Sequence, residues 1–568
     1  MPPPIIAPVT PKPNPALVTQ DAVRRLPRLA LLLFCAAYVL PGLFGRDPWR
    51  GAELIAFGQM LSIAEGRAPW LAPALGGVPV DAALLPHWIG ALAIRIGQGW
   101  LDPALAARVP FTGLLVLTLV AVWYACFHLA RSEAAQPLPF AFGGEAPPVD
   151  YARAIADGAL LLLIATLGLL QLGHQTTPEL AQLAAVAGLQ WALAAAPHRG
   201  WQARMGVLLA LPLLAACGAP VIALALGGGA LLLCWRHAEP GLRALRPWLA
   251  TATAAAALLA WPAGAWAWRL ADGIDLPSLA RLLLWFLWPA WPLALWTVWQ
   301  WRRHLAQRHL AIPLLGGIVA LTACVAMDGS DRALMLGLPG IAVLAAFALP
   351  TLQRSGAAAI DWLSVFFFTV CGAIVWVFYA AMQTGTPAKA LATVLRLAPG
   401  FMPQQSWLAL GLALAATAAW LGLVRWRTGR HRAVLWKSVV LPAGGVALCW
   451  LLLMTLWLPL LDYSRSNRPL AERLVRHVPA GQCIATPQAP LSLVAALEFH
   501  GRRRVDATPT AANGRCARLM LVLPLRGAEM PRGTALAEQA RRAGWQEIAR
   551  ERRPTDRNEA VAVYRRAD

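Results

Sequence analysis

Arg46-Asp47-Pro48-Trp49-Arg50-Gly51-Ala52-Glu53 follows directly on the apolar run Leu29–Phe44 and puts two carboxylates where the chain leaves that run. The run is the first of about thirteen apolar segments that a bilayer could accommodate. Acid at a membrane exit costs free energy unless it acts on something there, so the stretch points to chemistry at a membrane face rather than to a soluble fold or a simple channel.

Composition supports that frame. Of 568 residues 58% are hydrophobic and only 14% charged, and the mean hydropathy is +0.55, far too apolar for a soluble globular domain. The net charge of +21 and pI near 10.9 raise the question of nucleic acid. The arginines, however, fall in short clusters between apolar runs, as the preference for cytoplasmic cations dictates, so nucleic acid is not expected as a partner. Cys35, Cys126, Cys217, Cys234, Cys324, Cys371 and Cys449 lie in apolar segments without CxxC spacing and read as small buried hydrophobes, not a metal site. Cys483 and Cys516 lie in the polar C-terminal region; outside the cytoplasm they could pair, or remain free, and geometry decides.

Residues 1–26, rich in proline, read as a disordered cytoplasmic tail. Arg24, Arg25 and Arg28 before the first run favour a retained signal anchor with the N terminus inside. Twelve further spans thread at about 107–129, 154–172, 179–196, 205–218, 219–235, 248–268, 280–300, 310–327, 333–350, 360–381, 406–424 and 438–460. This threading puts Arg131 and Arg153, Arg199 and Arg204, Arg236, Arg243 and Arg246, Arg302, Arg303 and Arg308, Arg354, and Arg425 through Lys437 on the inside in successive loops. The split at Gly218-Ala219-Pro220 is essential, because a single span there would invert every later one. Residues 45–106, the 382–405 loop and everything after about 461 are then outside. Residues 461–568 read as a small α/β domain: helices at 470–478, 491–499 and 535–543, strands at 482–485, 519–524 and 560–564.

Several residues in the outside segments carry chemistry. Asp47-Pro48 can cap a helix, with Pro in its first turn, or Asp47 can act on a substrate; residue types leave both open. His174 and Glu179 in His174-Gln175-Thr176-Thr177-Pro178-Glu179-Leu180 read on their own as an interfacial pair satisfying a loop.

The first outside loop continues Gly66-Arg67-Ala68-Pro69-Trp70, Gly77-Val78-Pro79-Val80-Asp81, Pro86-His87-Trp88 and Ala106-Ala107-Arg108-Val109-Pro110. This order resembles the first periplasmic loop of polyprenyl-phosphate-dependent glycosyltransferases of the GT-C class, the group that contains protein O-mannosyltransferases and ArnT-like lipid A aminoarabinose transferases. The resemblance covers residues 27–350 best. It implies an α-helical polytopic membrane protein, a GT-C-like bundle of about thirteen transmembrane helices with a small C-terminal periplasmic α/β domain. It also implies a bacterial inner membrane setting, with the N terminus cytoplasmic and the C terminus periplasmic.

By that resemblance Asp47 matches the family's first catalytic acid, Glu53 the second acid of the segment, Glu179 the acid of the second outside loop, and Asp81 the acid before the family's lysine. Ala82 stands where that lysine would contact lipid phosphate, and arginines at outside helix ends, Arg269, Arg281 and Arg332, are the substitutes expected at the phosphate. Each of these arginines can equally snorkel to headgroups, and Arg332 can pair with Asp328 or Asp331. His87 and His174 complete the expected substrate-binding set.

The implied reaction moves a sugar from a polyprenyl-phosphate carrier to a lipid, glycan or protein acceptor, with Asp47 as general base and a cation at the leaving phosphate. No cofactor is required by the pattern. No His/Cys cluster has ligand spacing, and a divalent cation fits only if Asp47 and Glu179 converge. Two alternatives remain: a catalytically degenerate relative, favoured by Ala82, and a lipid or solute transporter, disfavoured by the scarcity of charge within the spans.

Overall fold

The computed structural model describes residues 16–79, 83–139, 144–261, 273, 275–428, 434–514, 516–524, 531–556 and 558–566. Helices occupy the places the apolar periodicity marks. Pro103–Ala130, Pro178–Ala195, Gly200–Ala216, Pro220–Arg236, Arg308–Ala326, Arg354–Thr384, Trp407–Thr428 and Lys437–Thr455 answer the expected spans, and the expected break at Gly218-Ala219-Pro220 separates two of them.

The expected count of about thirteen spans is matched only in part among the described residues. Among the described residues five helices are long and apolar enough to cross a bilayer, or six if the Leu276–Phe286 and Ala290–Gln300 pair, bent by 93°, counts as one span. The remaining apolar helices are short because proline and glycine interrupt them. The first run is helical only over Arg28–Val39, ending before Pro41 and Gly42; the run expected at 333–350 divides at Leu336-Gly337 into Asp331–Met335 and Leu338–Ala348.

Long and short helices pack side by side. Pro103–Ala130 lies against Pro148–Ala165 and Pro178–Ala195, and Lys437–Thr455 lies against Arg354–Thr384 and Pro148–Ala165. Small residues permit these approaches: a Cβ on Gly445 would stand 2.1 Å from Phe368. The N-terminal segment differs from expectation. Residues 1–15 lie outside the described residues, but 16–26 are not a free tail: Val18 and Val23 are buried, the Ala146 amide donates to the Val18 carbonyl, and that of Leu435 to Ala22. Val18, Val23 and Leu26 supply the burial that fixes this segment, while Leu17 is exposed.

The C-terminal region contains helices and a sheet with two more strands than the sequence pattern marks. With β1 (Ala74–Leu75) and β2 (Val78–Pro79) forming a hairpin in the first loop, its strands are β3 (Ile484–Ala485), β4 (Val505–Asp506), β5 (Arg518–Pro524), β6 (Trp545–Glu551) and β7 (Glu559–Arg566). They form one sheet in the order β4-β3-β5-β7-β6, parallel across the first three and antiparallel beyond. Alternation sorts the sheet: Leu519, Leu521, Ala562 and Tyr564 face a core shared with the helix Pro531–Arg542, while Met520, Val561 and Val563 face one shared with Leu470, Leu474, Leu493 and Leu497. β6 escapes a hydrophobic-pattern reading because Trp545-Gln546-Glu547-Ile548 lies at a solvated edge.

Cys483 and Cys516 form a disulfide, closing a loop of sequence separation 33. Loop-closure entropy for that length is about 3–4 kcal/mol. The double variant Cys483→Ser/Cys516→Ser is therefore expected to open this unit first, seen as faster limited proteolysis between 480 and 520 while the membrane helices stay protected.

The unit sits on the first loop. Its helix Leu491–Phe499 packs on the loop helix Ala52–Ala64: Phe57 meets Phe499 edge-on at 4.7 Å, and a Cβ on Gly58 would stand 2.7 Å from that of Ala495. The turn between β1 and β2, with Gly76 and Gly77 both at positive φ, accepts the Ala507 amide at 2.7 Å. Arg67 pairs with Glu498 across the same junction. The segment after the 354–384 helix joins it too, through Tyr463 Oη donating to the Pro399 carbonyl. The segments expected outside thus gather at one end of the bundle.

Candidate active site

Where the helix Arg28–Val39 gives way to Ala52–Ala64, Gly42, Gly45 and Gly51 take positive φ, and the chain folds back so that residues 46–49 sit inside. Arg46 and Glu53 form a buried pair, 0% and 1% exposed at their side chains, with contacts of 2.5 and 3.1 Å. Arg46 also donates to the carbonyls of Gly42 and His174, and Glu53 accepts the Trp49 amide at 3.2 Å. Glu53, expected as the second acid of the segment, thus sits in a buried ion pair that holds the loop. Asp47 precedes the helix Ala52–Ala64, and Glu53 lies in its first turn.

Asp47 is 11% exposed at its side chain, and Arg468 clasps it with Nε at 2.8 Å and Nη2 at 2.5 Å. Arg468 opens the helix Arg468–Val475, so the C-terminal unit itself holds the acid. A third carboxylate stands beside it. Asp462 accepts from Trp49 Nε1 at 2.8 Å and from the Asp47 amide at 3.3 Å. Burial, with Asp47 adding to it, pushes its pKa from an ordinary 3.8 up to about 7. Because the folded state keeps that proton where the unfolded chain loses it, the contribution of Asp462 to stability falls as pH rises from about 4 to about 7 and levels off above. Buried histidines such as His87 act in the opposite direction over the same window, so the expected reading is a difference: the thermal transition of wild type relative to that of Asp462→Asn declines from pH 4 to pH 7.

Arg465 stacks on Trp49 at 5.0 Å and donates to Gln171 Oε1 at 2.7 Å, and Arg108 donates to the carbonyls of Leu43 and Arg46. Both ring nitrogens of His174 are engaged, Nε2 2.8 Å from the Tyr38 carbonyl oxygen and Nδ1 2.7 Å from that of Leu170. His174 accordingly ties two helices together, closer to its loop-satisfying reading than to a free substrate contact.

Glu179 begins the helix Pro178–Ala195 and meets Arg332 at 3.0 Å, while Arg332 also donates to Gln175 Oε1 and Thr177 Oγ1. Arg332 is thus paired, but with Glu179 across the bundle rather than with Asp328 or Asp331. His87 is buried, its Nδ1 has no hydrogen-bond partner, and burial lowers its pKa to about 4 against the opposing influence of the Ala83 backbone and of Glu179. The two expected catalytic acids do not share a hydrogen-bond partner among the described residues: Asp47 is held by Arg468 and Glu179 by Arg332. They are linked instead through the loop, since Arg46, next to Asp47, binds the His174 carbonyl five residues before Glu179. Asp81, Ala82 and Arg269 lie outside the described residues. Among the described residues no cluster of His, Cys, Asp and Glu could hold a metal ion.

Arg281 is exposed and borders a cavity of about 550 Å³ together with Leu167, Ser278 and Trp285. Leu167 also borders a second cavity, of about 260 Å³, lined by apolar residues such as Leu170, Phe367, Phe368, Val446 and Leu453. Leu170 in turn packs against the group containing Trp49 and Trp450. The short helix Leu167–Leu172 thus borders the Arg281 cavity at its start, the apolar recess along its length, and the Trp49 group at Leu170.

Asp462, Arg465 and Arg468 belong to no motif marked in the sequence. The signal was present in Asp462-Tyr463-Ser464-Arg465-Ser466-Asn467-Arg468, a charged cluster at the exit of the last apolar run that mirrors the one at the exit of the first.

No family model and no curated protein matches the sequence. Solved structures do match the fold. ArnT from Cupriavidus metallidurans bound to undecaprenyl phosphate superposes with a TM-score of 0.60 at 13% identity, over 94% of this chain and 97% of that one. The apo form of the same ArnT superposes with a TM-score of 0.59 at 14% identity, over 94% and 98%. This chain therefore shares the fold of ArnT along almost its entire length, in keeping with the GT-C-type bundle that the loop motifs imply.

Proposed function

We propose that this protein is a membrane glycosyltransferase that takes a sugar from a polyprenyl-phosphate donor at the periplasmic face of a bacterial inner membrane and passes it to a lipid, glycan or protein acceptor. The observation that carries the reading is the likeness in fold, over nearly the whole of both chains, to a structure solved with undecaprenyl phosphate. The presence of an apolar recess, an arginine and an acid cluster around one short helix supports it, because a prenyl tail, a phosphate and a reacting hydroxyl need those three environments.

In the proposed reaction an acceptor oxygen bonds to the anomeric carbon as the bond from that carbon to the phosphate oxygen breaks. The electron pair stays on the departing lipid phosphate, the acceptor proton passes to Asp47, and this single displacement inverts the anomeric centre. Arg281, with Arg332 and Arg269 as further cations, takes up the charge that grows on the phosphate, the task for which Ala82 has no side chain. Arg46, Glu53 and His174 hold the loop that presents Asp47. A divalent cation between Asp47 and Glu179 would require both acids to leave their arginines.

The test is transfer of radiolabelled sugar from a polyprenyl-phosphate donor by purified protein, together with mass spectrometry of co-purifying lipid. A prenyl phosphate in the lipid and label on an acceptor are expected. Wild-type protein that binds the lipid yet transfers nothing would favour the degenerate reading, which Ala82 also favours. Protein with neither property would overturn the proposal.

A further inference from the structure

The helix Pro178–Ala195 starts beside Arg332 and the first loop, and its 18 residues carry the chain roughly 27 Å to the opposite end of the bundle. There the helices Gly200–Ala216 and Arg246–Ala260 begin and Pro220–Arg236 finishes, and the three pack on one another. The short helix Pro240–Arg243 closes the group, so near the preceding turn that a Cβ on Gly241 would stand 2.7 Å from the Cα of Pro197. Between residues 198 and 246 the chain holds five arginines, Arg199, Arg204, Arg236, Arg243 and Arg246, and a single acid, Glu239. That acid is already taken, since Arg308 from the helix Arg308–Ala326 holds it at 2.6 Å. Among the described residues none of the five arginines forms an ion pair.

Other cations that the threading puts on this face have acids to answer them: Arg153 pairs with Asp150 and Arg427 with Asp361. Here like charges crowd together with none, and an external anion would relieve the repulsion. Two of the five are held in place by indole faces. Arg204 lies over Trp248 at 5.9 Å, its Nε without a partner, and Arg246 lies over Trp235 at 5.4 Å while donating to the carbonyls of Cys234 and Trp235. Arg236 and Arg243 are exposed. Trp201 and Trp235, 64% and 71% exposed, stand beside them, and indoles so placed mark the headgroup depth of a bilayer. Farther along the same helices Leu209 and Leu232 are exposed, an apolar surface that suits acyl chains.

We propose that this end of the bundle binds an anionic phospholipid of the adjoining leaflet, one whose headgroup carries two phosphates that engage guanidinium groups from separate helices. A single phosphate can accept the forks of only one or two arginines, whereas two phosphates match a cluster spread over four neighbouring helix ends. The lipid site is remote from the acid cluster and does not depend on the transferase reading.

Delipidated full-length protein in detergent is titrated with cardiolipin, which has two phosphates, with phosphatidylglycerol and with phosphatidylcholine at equal phosphate concentration. The thermal transition and the lipid retained in native mass spectrometry are followed. Cardiolipin is expected to raise the transition and stay bound, phosphatidylglycerol to need about tenfold or more higher concentration, and phosphatidylcholine to leave the transition unmoved. The double change Arg236→Gln/Arg243→Gln, at two exposed positions, and separately Arg204→Gln are expected to weaken cardiolipin about tenfold or more. Arg303→Gln, an exposed arginine in a turn outside the group, is expected to retain it. Stabilisation by phosphatidylcholine equal to that by cardiolipin, phosphatidylglycerol as effective as cardiolipin, or a loss in Arg303→Gln as large as in the double variant would overturn the site.

Discussion

Asp47→Asn is expected to lower sugar transfer from the polyprenyl donor by a factor on the order of 10² to 10⁴, the range that removal of a general base commands. The substitution keeps the volume of the side chain and one oxygen for Arg468, so the protein should fold and its thermal transition should move little. Retained binding of the lipid donor would place the loss in the chemical step. Near-wild-type transfer by Asp47→Asn would remove Asp47 from the reaction and turn attention to Asp462, whose pKa near 7 suits proton transfer at neutral pH. Asp462→Asn is the companion measurement: if Asp462 only positions Trp49 and the Asp47 backbone, it should alter rate without removing a limb of the pH profile.

Glu53→Gln is expected to be the most destabilising single change in the loop. It leaves the Arg46 guanidinium, fully buried at its side chain, without its counter-charge, and breaking such a pair from one side costs about 3–5 kcal/mol. The expected result is a marked fall in folded yield and thermal transition, with the remaining folded protein transferring sugar at close to the wild-type rate. The joint change Arg46→Met/Glu53→Met should recover part of the stability, because neither charge is then stranded. A Glu53→Gln protein that is as stable as wild type yet inactive would reinstate Glu53 as a reacting group.

These two carboxylates, six residues apart in sequence, illustrate what residue order could and could not convey. Placement of the helices was legible because it follows from apolar runs and breakers: the break at Gly218-Ala219-Pro220 and the alternation in Leu519–Leu523 needed no tertiary information. Helix length was less so. A run such as Leu29–Phe44 counts as apolar throughout, yet Pro41 and Gly42 end its helix at Val39, and only packing decides whether the shortened piece is still accommodated. Pairing was not legible at all, since Arg468 lies 421 residues from Asp47 and Arg332 153 from Glu179. The resemblance led to Asp47 and Glu179, but not to their pairing with Arg468 and Arg332, and Arg468 comes from a segment outside the residues the resemblance covers best.

Arg468 reaching from the C-terminal unit to Asp47 has an evolutionary corollary. A soluble appendage that merely decorated a membrane enzyme could be exchanged or redesigned without regard to the rest. Here the appendage and the loop it covers must be inherited as one module: a hybrid that grafts the C-terminal unit of another fold member onto residues 1–460 would need that unit's first helix to offer a cation at the place of Arg468, and a small contact at the place of Ala495, before it could seat on this loop.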